Sequence, residues 1–300
     1  MQKVDTGCAQ KDYLDIDTEK TLAQYQKFLL DRTKRINKEA EWLLEKKIDL
    51  IVCDIASYPL KSAQMARLPS VLIANFTWFD IFSKLPGAEK NPNILKVLHE
   101  EYSCATVHFL PQFELENDLI STPRKVVGFM SLKGQCKREE LNKNLLIENK
   151  TLVFIYLGLY DTSVIQWKNL EKLTNYVFIT RDPHTNTLPN LKILDHSFSY
   201  ADLIASSDVV ISKCGYSTLA CAFHHNKPVV VCERKEFCEG EKIKKFLLKN
   251  NLGVILQPDI FNSCDWENAI KRAMCLSVKN KVPLYGENAI IEKIKELIEL

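Results

Sequence analysis

The sequence predicts an α/β protein made of two parallel-sheet domains in tandem, and three observations carry that expectation. Short apolar runs of strand length alternate with amphipathic stretches along the whole chain. The alternation is interrupted once, by a charged, Lys-rich segment over 131–150, and 300 residues are ample for two domains of ordinary size. The boundary is therefore placed near 140, giving a first domain over 1–140 and a second over 141–300 that includes a terminal helix.

In the first domain, Leu22, Tyr25, Leu29, Ile36, Ala40 and Leu43 recur at steps of three, four or seven, the period of one helix face; they predict a long amphipathic helix or a broken pair over 18–47. The run 49–54 is too short for a helix and is bounded by acids, which suits a buried parallel strand. A helix over 61–67 and a strand over 70–75 complete one strand-helix-strand unit. A helix over 94–105, a strand over 106–110 and an apolar run over 125–130 continue it. The second series has strands over 151–156, 176–180, 191–194, 208–211, 228–232 and 253–256, with helices between most of them. Ile290, Ile291, Ile294, Leu297 and Ile298 predict a final helix over 287–300.

Composition limits the classes of function. Hydrophobic residues at 46% and charged residues at 26% are those of a folded chain rather than a disordered one. Lys and Arg number 40 against 38 Asp and Glu, and a formal charge of +2 cannot build the broad positive field of a nucleic-acid binder. The ten cysteines are scattered with no CxxC pair, and several sit in apolar runs, as Cys53 does; they are expected as buried free thiols of a cytoplasmic protein, with no metal site. No basic start followed by an apolar core opens the chain, and no apolar run approaches the roughly 20 residues of a membrane span, which leaves at most a peripheral membrane association. Asp15-Ile-Asp17 could be mistaken for a metal-binding pair, but it immediately precedes a helix, where acids cap.

The most informative stretch runs from Asp208 to Cys232. A strand ends at Ser212, a turn passes through Gly215, and a helix opens near Tyr216 with Ser217 and Thr218 in its first turn. Free N–H groups and the positive end of the helix dipole suit a phosphate there, and glycine lets the backbone approach a ligand closely. The same pattern is as often a purely structural link.

This stretch resembles the carboxy-terminal domain of family 28 glycosyltransferases, which are of the GT-B type, and the preceding Asp195-His-Ser-Phe-Ser-Tyr-Ala-Asp202 matches that family's base-reading turn. A likeness over nearly the whole chain is to the glycosyltransferase-like amino-terminal region of plant L-arabinokinase and its stand-alone bacterial relatives. It is carried by Val4-Asp-Thr-Gly-Cys-Ala-Gln-Lys-Asp12, by 54–82 with Ala74-Asn-Phe-Thr-Trp78 at its centre, by Ile211-Ser-Lys-Cys-Gly-Tyr-Ser-Thr218 and by 234–241.

The resemblance implies two Rossmann-like parallel-sheet domains facing a cleft and a UDP-type nucleotide-sugar donor, with no cofactor and no metal. Gly215, Tyr216, Ser217 and Thr218 would hold the donor diphosphate, Ser197 and Phe198 would flank the base, Cys221 would lie at the ribose, and Glu239 would lie near the donor sugar or phosphate. Gly158 stands where the family has a glycine turn facing the phosphates, and is as readily a simple strand-end turn; Glu239 and Glu241 are as readily first-turn helix acids. Asn75, Trp78 and Asp80 follow a strand end and are expected either on the acceptor side or in local packing. His224-His225, followed by Asn226 and Pro228, is read as a helix stop.

Two departures bear on activity. The family's chain begins with a strand and a Gly/His-rich loop that this sequence lacks, so the first domain is expected to be incomplete, with an exposed apolar sheet region or a substituted strand, and no catalytic residue is assigned. Cys221 stands where the family has a glutamate on the ribose hydroxyls, and a thiol cannot hold two hydroxyls as a carboxylate does. The expected function is metal-independent transfer of a sugar from a nucleotide diphosphate to an unknown acceptor. The alternative is a non-catalytic nucleotide-sugar binding or scaffold protein derived from such an enzyme; a hydrolase using water as acceptor is a third reading.

Overall fold

In the computed structural model, which describes residues 4–115, 119–147, 149–182, 188–234 and 237–299, the chain divides into two compact units. The first comprises Met1–Ala9, Ile16–Gly128 and Tyr285–Leu300, the second Gln10–Asp15 and Phe129–Leu284. Glu148 of the charged segment, and Lys235 and Glu236 of the 234–241 stretch, lie outside the described residues.

The units part after Gly128 rather than near 140, and the final helix Gly286–Ile298 clusters with the first unit rather than the second. The reason is local. The charged segment folds into the helix Arg138–Leu145, which buries Leu141 completely, and Arg138 pairs with Asp208 at 2.9 Å. It therefore docks as a part of the second unit instead of forming a free linker.

In the first unit the 18–47 periodicity resolves into the broken pair, Thr18–Leu29 and Arg32–Glu45. Asp17 caps the first of these, its Oδ1 accepting from Lys20 N at 3.0 Å, as its place before the helix predicts. Strands β1 (Ile51–Asp54), β2 (Ser70–Ile73), β3 (Val107–Pro111) and β4 (Arg124–Val127) form a parallel sheet in that order. Helices Tyr58–Met65, Trp78–Phe82 and Pro92–Tyr102 connect the strands. Every residue of β3 is buried, while Val52 on the edge strand β1 is 49% exposed.

The second unit holds β5 (Thr151–Tyr156), β6 (Tyr176–Thr180), β7 (Leu191–Ile193), β8 (Val209–Lys213), β9 (Val229–Cys232) and β10 (Gly253–Leu256). They form one parallel sheet in the order β10-β9-β8-β5-β6-β7. One face of its core brings Val153, Ile155, Phe178, Val209, Ile211 and Val230 against Phe261 and Trp266. Each such side chain contributes roughly 1.5–3 kcal/mol by leaving water. The inner strands, with β6 and β9 buried at every residue, read as continuous apolar runs. Among the described residues, no helix is long and apolar enough to cross a membrane.

Candidate functional site

The strand order of the second unit reverses between β5 and β8, which are hydrogen-bonded neighbours paired from Val153↔Val209 to Tyr156↔Ser212. In open parallel sheets such a reversal leaves a crevice at the carboxyl ends of the two strands, because the connections leave toward opposite faces. Gly158 follows β5 and Gly215 follows β8, so both lie at this end of the sheet.

The two glycines differ in what they require. Gly158 has φ +83°, a left-handed conformation, and a Cβ there would come within 3.0 Å of the Tyr160 ring; its turn needs glycine whatever else it does. Gly215 is extended at φ −153° and a Cβ would meet nothing within 4 Å. Neither backbone nor packing demands glycine at 215.

Gly215 is the N-cap of the helix Tyr216–His224, and no side chain caps that start. Ser217 is exposed and Thr218 is buried, with its Oγ1 accepting from Tyr200 Oη at 2.6 Å. Tyr216 Oη accepts from Met130 N at 2.9 Å. Cys221, one turn in, is only 2% exposed, and its Sγ donates to Leu132 O at 3.5 Å; residues 129–137 lie against this helix and hold that thiol out of solvent. Burial pushes the thiol up to about 12, so it is neutral at physiological pH. His225 ends the helix, followed by left-handed Asn226.

A charged group that sequence reading passed over lies at the same strand ends. Lys213, the last residue of β8, makes no ion pair among the described residues; the Tyr160 ring lies 4.0 Å from its Nζ. Burial, followed by the charge of Arg234, lowers its ammonium to about 7, against the pull of Asp182, Glu239 and Asp12. Asp182 is 5% exposed and follows β6. Its Oδ2 accepts from Leu157 N at 2.9 Å, while Oδ1 is buried without a hydrogen-bond partner among the described residues. Burial raises this carboxyl to about 6 despite the opposing Leu157 hydrogen bond. Lys213 was legible as the Lys of Ser-Lys-Cys-Gly, but its isolation was not.

Residues 10–15 complete this region from the far end of the sequence. Arg234 Nε donates to Leu14 O at 2.8 Å and Arg234 Nη2 to Gln10 Oε1 at 3.0 Å. Tyr13 is fully buried against Phe261 with its ring centroid 6.0 Å away, and its hydroxyl donates to Asn262 Oδ1 at 2.5 Å. Asp12 turns the segment, its Oδ1 accepting from Leu14 N at 2.7 Å and Asp15 N at 2.8 Å.

The remaining candidates separate. Ser197 is exposed with its N–H held by Asp195 Oδ1 at 2.9 Å, whereas Phe198 is buried, so the pair does not present one face. Glu239 is buried in the first turn of Cys238–Asn250, and its charge reaches Lys213. Glu241 in the same turn is exposed and pairs with Lys245 at 3.7 Å. Asn75, Trp78 and Asp80 belong to the first unit, on the turn and helix after β2. Asp80 closes a capping box: its Oδ2 accepts from Thr77 N at 2.6 Å and Thr77 Oγ1 at 2.7 Å, and Thr77 Oγ1 accepts from Asp80 N. Trp78 donates its N–H to Tyr102 Oη at 3.1 Å and its Nε1–H to Asp5 Oδ2 at 3.3 Å.

Solved structures similar to this chain include glycosyltransferases. The spinosyn forosaminyltransferase SpnP superposes with a TM-score of 0.62 over 95% of this chain and 85% of its own, at 14% identity. The chain has the GT-B glycosyltransferase fold. A UDP-glucosyltransferase from Polygonum tinctorium, capable of glucosylating indoxyl, shares the GT-B fold with a TM-score of 0.57 over 94% of this chain and 76% of its own, at 12% identity. The calicheamicin glycosyltransferase CalG4 gives 0.56 over the same shares, at 12% identity. In sequence the chain is 25% identical over 298 residues to an L-arabinokinase of Arabidopsis thaliana, covering 91% of this chain and 27% of that protein, so this GT-B chain spans about a quarter of its relative's length. No family model matches the chain.

Proposed function

We propose that the second unit binds a UDP-type nucleotide sugar at the carboxyl ends of β5 and β8, and that the protein transfers the sugar, without a metal, to an acceptor yet to be identified. The observation that carries this reading is an uncapped helix start at Gly215 beside a Lys213 ammonium with no carboxylate partner among the described residues. Two phosphates would satisfy both: backbone N–H groups of the first turn would donate to their oxygens, and Lys213 would supply the opposing charge. The space beside Gly215 that a Cβ would fill admits a phosphate oxygen. In transfer, the same groups would stabilise the diphosphate as it leaves, which is where negative charge develops.

In this reading Tyr216, Ser217 and Thr218 line the diphosphate, Gly158 faces it from β5, Ser197 and Phe198 lie at the base, Cys221 at the ribose and Glu239 near the sugar or phosphate. Asn75, Trp78 and Asp80 would belong to the acceptor side, and the protein would work in the cytoplasm, at most peripherally associated with a membrane. Isothermal titration with UDP-glucose and other nucleoside diphosphates tests it: binding by the native chain and its loss in Lys213→Met is expected, and absence of binding at millimolar ligand would refute the donor site.

A second reading, a non-catalytic nucleotide-sugar binder, draws on Cys221. A buried thiol bonded to Leu132 O offers a ribose nothing comparable to a carboxylate. Binding of UDP-sugars with no release of UDP across a panel of hydroxyl acceptors would select this second reading over transfer.

A further inference from the structure

The first unit contains a cavity of about 630 Å³ at its two leading helices, and its lining carries four cations. Lys27 comes from the last turn of Thr18–Leu29, and Lys34, Arg35 and Lys38 from the first two turns of Arg32–Glu45. Gln24, Phe28 and Thr6 complete the wall, and Asp31 is the one acid in it. The three lysines are exposed and make no ion pair among the described residues. Lys34 and Lys38 stand one turn apart, a like-charge spacing that costs a helix stability and that a bound anion would relieve. They also border an adjoining concavity, where Glu41 is the further acid, so cations outnumber acids across both.

Arg35 gives the cavity a fixed element. Its guanidinium carbon lies 3.6 Å from the Phe28 ring centroid and 5.5 Å from that of Tyr58, and its Nη2 donates to Phe28 O. Its Nε is buried and has no hydrogen-bond partner among the described residues. A guanidinium held in this way is pre-oriented, so less side-chain entropy is lost when it binds an oxyanion.

We propose that this cavity binds a soluble, phosphate-bearing small molecule, with Lys27, Lys34 and Lys38 surrounding the anion and Arg35 as its anchored contact. The volume is in the range of small-ligand sites, enough for a sugar phosphate. The site is independent of the donor reading, since its residues all belong to the first unit.

The test is titration of the intact chain with pyrophosphate and with glucose 1-phosphate, in the Lys213→Met background so that the second unit contributes nothing. Binding should weaken at least several-fold between about 20 and 200 mM salt, as screening requires. Lys34→Ala/Lys38→Ala should weaken it by about 10-fold and Lys27→Ala by about 3-fold. Arg35→Lys, which keeps the charge and loses the stacked fork, should weaken it as well. Binding that is absent, or indifferent to all these substitutions, overturns the proposal. So does binding seen only with intact Lys213, which belongs to the second unit, or binding only to phosphatidylglycerol vesicles, which makes the ligand a membrane.

Discussion

Two helices in this molecule begin just past the carboxyl end of a parallel strand, and they treat their free N–H groups in opposite ways. After β2, Thr77 and Asp80 form a reciprocal box in which a buried carboxylate takes the amide and hydroxyl of Thr77. After β8, the start at Gly215 has no side-chain cap and the neighbouring charge is the cation Lys213. The first start is satisfied from within and has its dipole answered by Asp80; the second keeps its capacity for an anion. The same topology thus yields a structural joint in one place and a candidate binding site in the other, and a few side chains make the difference.

The largest effect expected from breaking this contrast is at the closed start. Asp80→Ala removes the acceptor for two buried donors and should destabilise the protein by about 2–4 kcal/mol, read from urea unfolding. A loss below about 0.5 kcal/mol would mean that the box contributes little. At the open start the reverse is expected. Gly215→Asp places a capping carboxylate where a Cβ meets nothing within 4 Å, so stability should change by only a few tenths of a kcal/mol, while nucleoside diphosphate affinity falls by roughly 100-fold or more. Retained affinity in that variant would show that the phosphates bind elsewhere.

Lys213 sharpens the contrast through pH. Its folded ammonium lies near 7, below the usual 10.5, so the unfolded chain holds a proton that the folded chain has released between those values. Stability from this group is therefore lowest below about 7 and rises with pH through that window. Asp182, raised to about 6 from 3.8, acts in a separate window: stability falls as pH rises from about 4 to 6 and the loss persists above it. A bound anion would keep Lys213 protonated. UDP-glucose affinity of the native chain should then fall above about pH 7, at most tenfold per unit. Calorimetry in two buffers of different ionisation enthalpy would detect the accompanying proton uptake; a flat profile from about pH 6 to 8.5 in the native chain would remove Lys213 from the site.

The smallest effect concerns Cys221→Glu. A carboxylate able to accept from both ribose hydroxyls should tighten UDP binding by about 10-fold. In the free protein the same carboxylate would be buried against Leu132 O, lowering stability by about 1–3 kcal/mol. Lower stability with no gain in affinity would take the ribose away from position 221.

Much of this was open to reading along the chain. Apolar runs marked the described strands to within three residues, most plainly β3, β6 and β9, which are buried throughout and so need continuous hydrophobicity. Asp17 as a cap, the stop at His224-His225 and the helix opening after Gly215 follow from local backbone chemistry, which adjacent residues determine. The helix Trp78–Phe82 was missed because five residues hold too few turns to show a period, and Arg138–Leu145 because its mostly charged sequence buries little beyond Leu141. Asp80 read as a strand-end polar residue until its hydrogen bonds identified it as a cap.

Local sequence therefore determined the strands, the alternation of elements and the turn at Gly215, since each depends on residues within a few positions of one another. Tertiary structure alone decided which distant segments share an environment. It assigned residues 10–15 to the second unit, where Arg234 holds Leu14 O, and among the described residues it left Lys213 without a carboxylate ion pair while burying Asp182 nearby. These outcomes depend on desolvation and on groups brought together from segments up to 249 residues apart, and no periodicity in the chain encodes them.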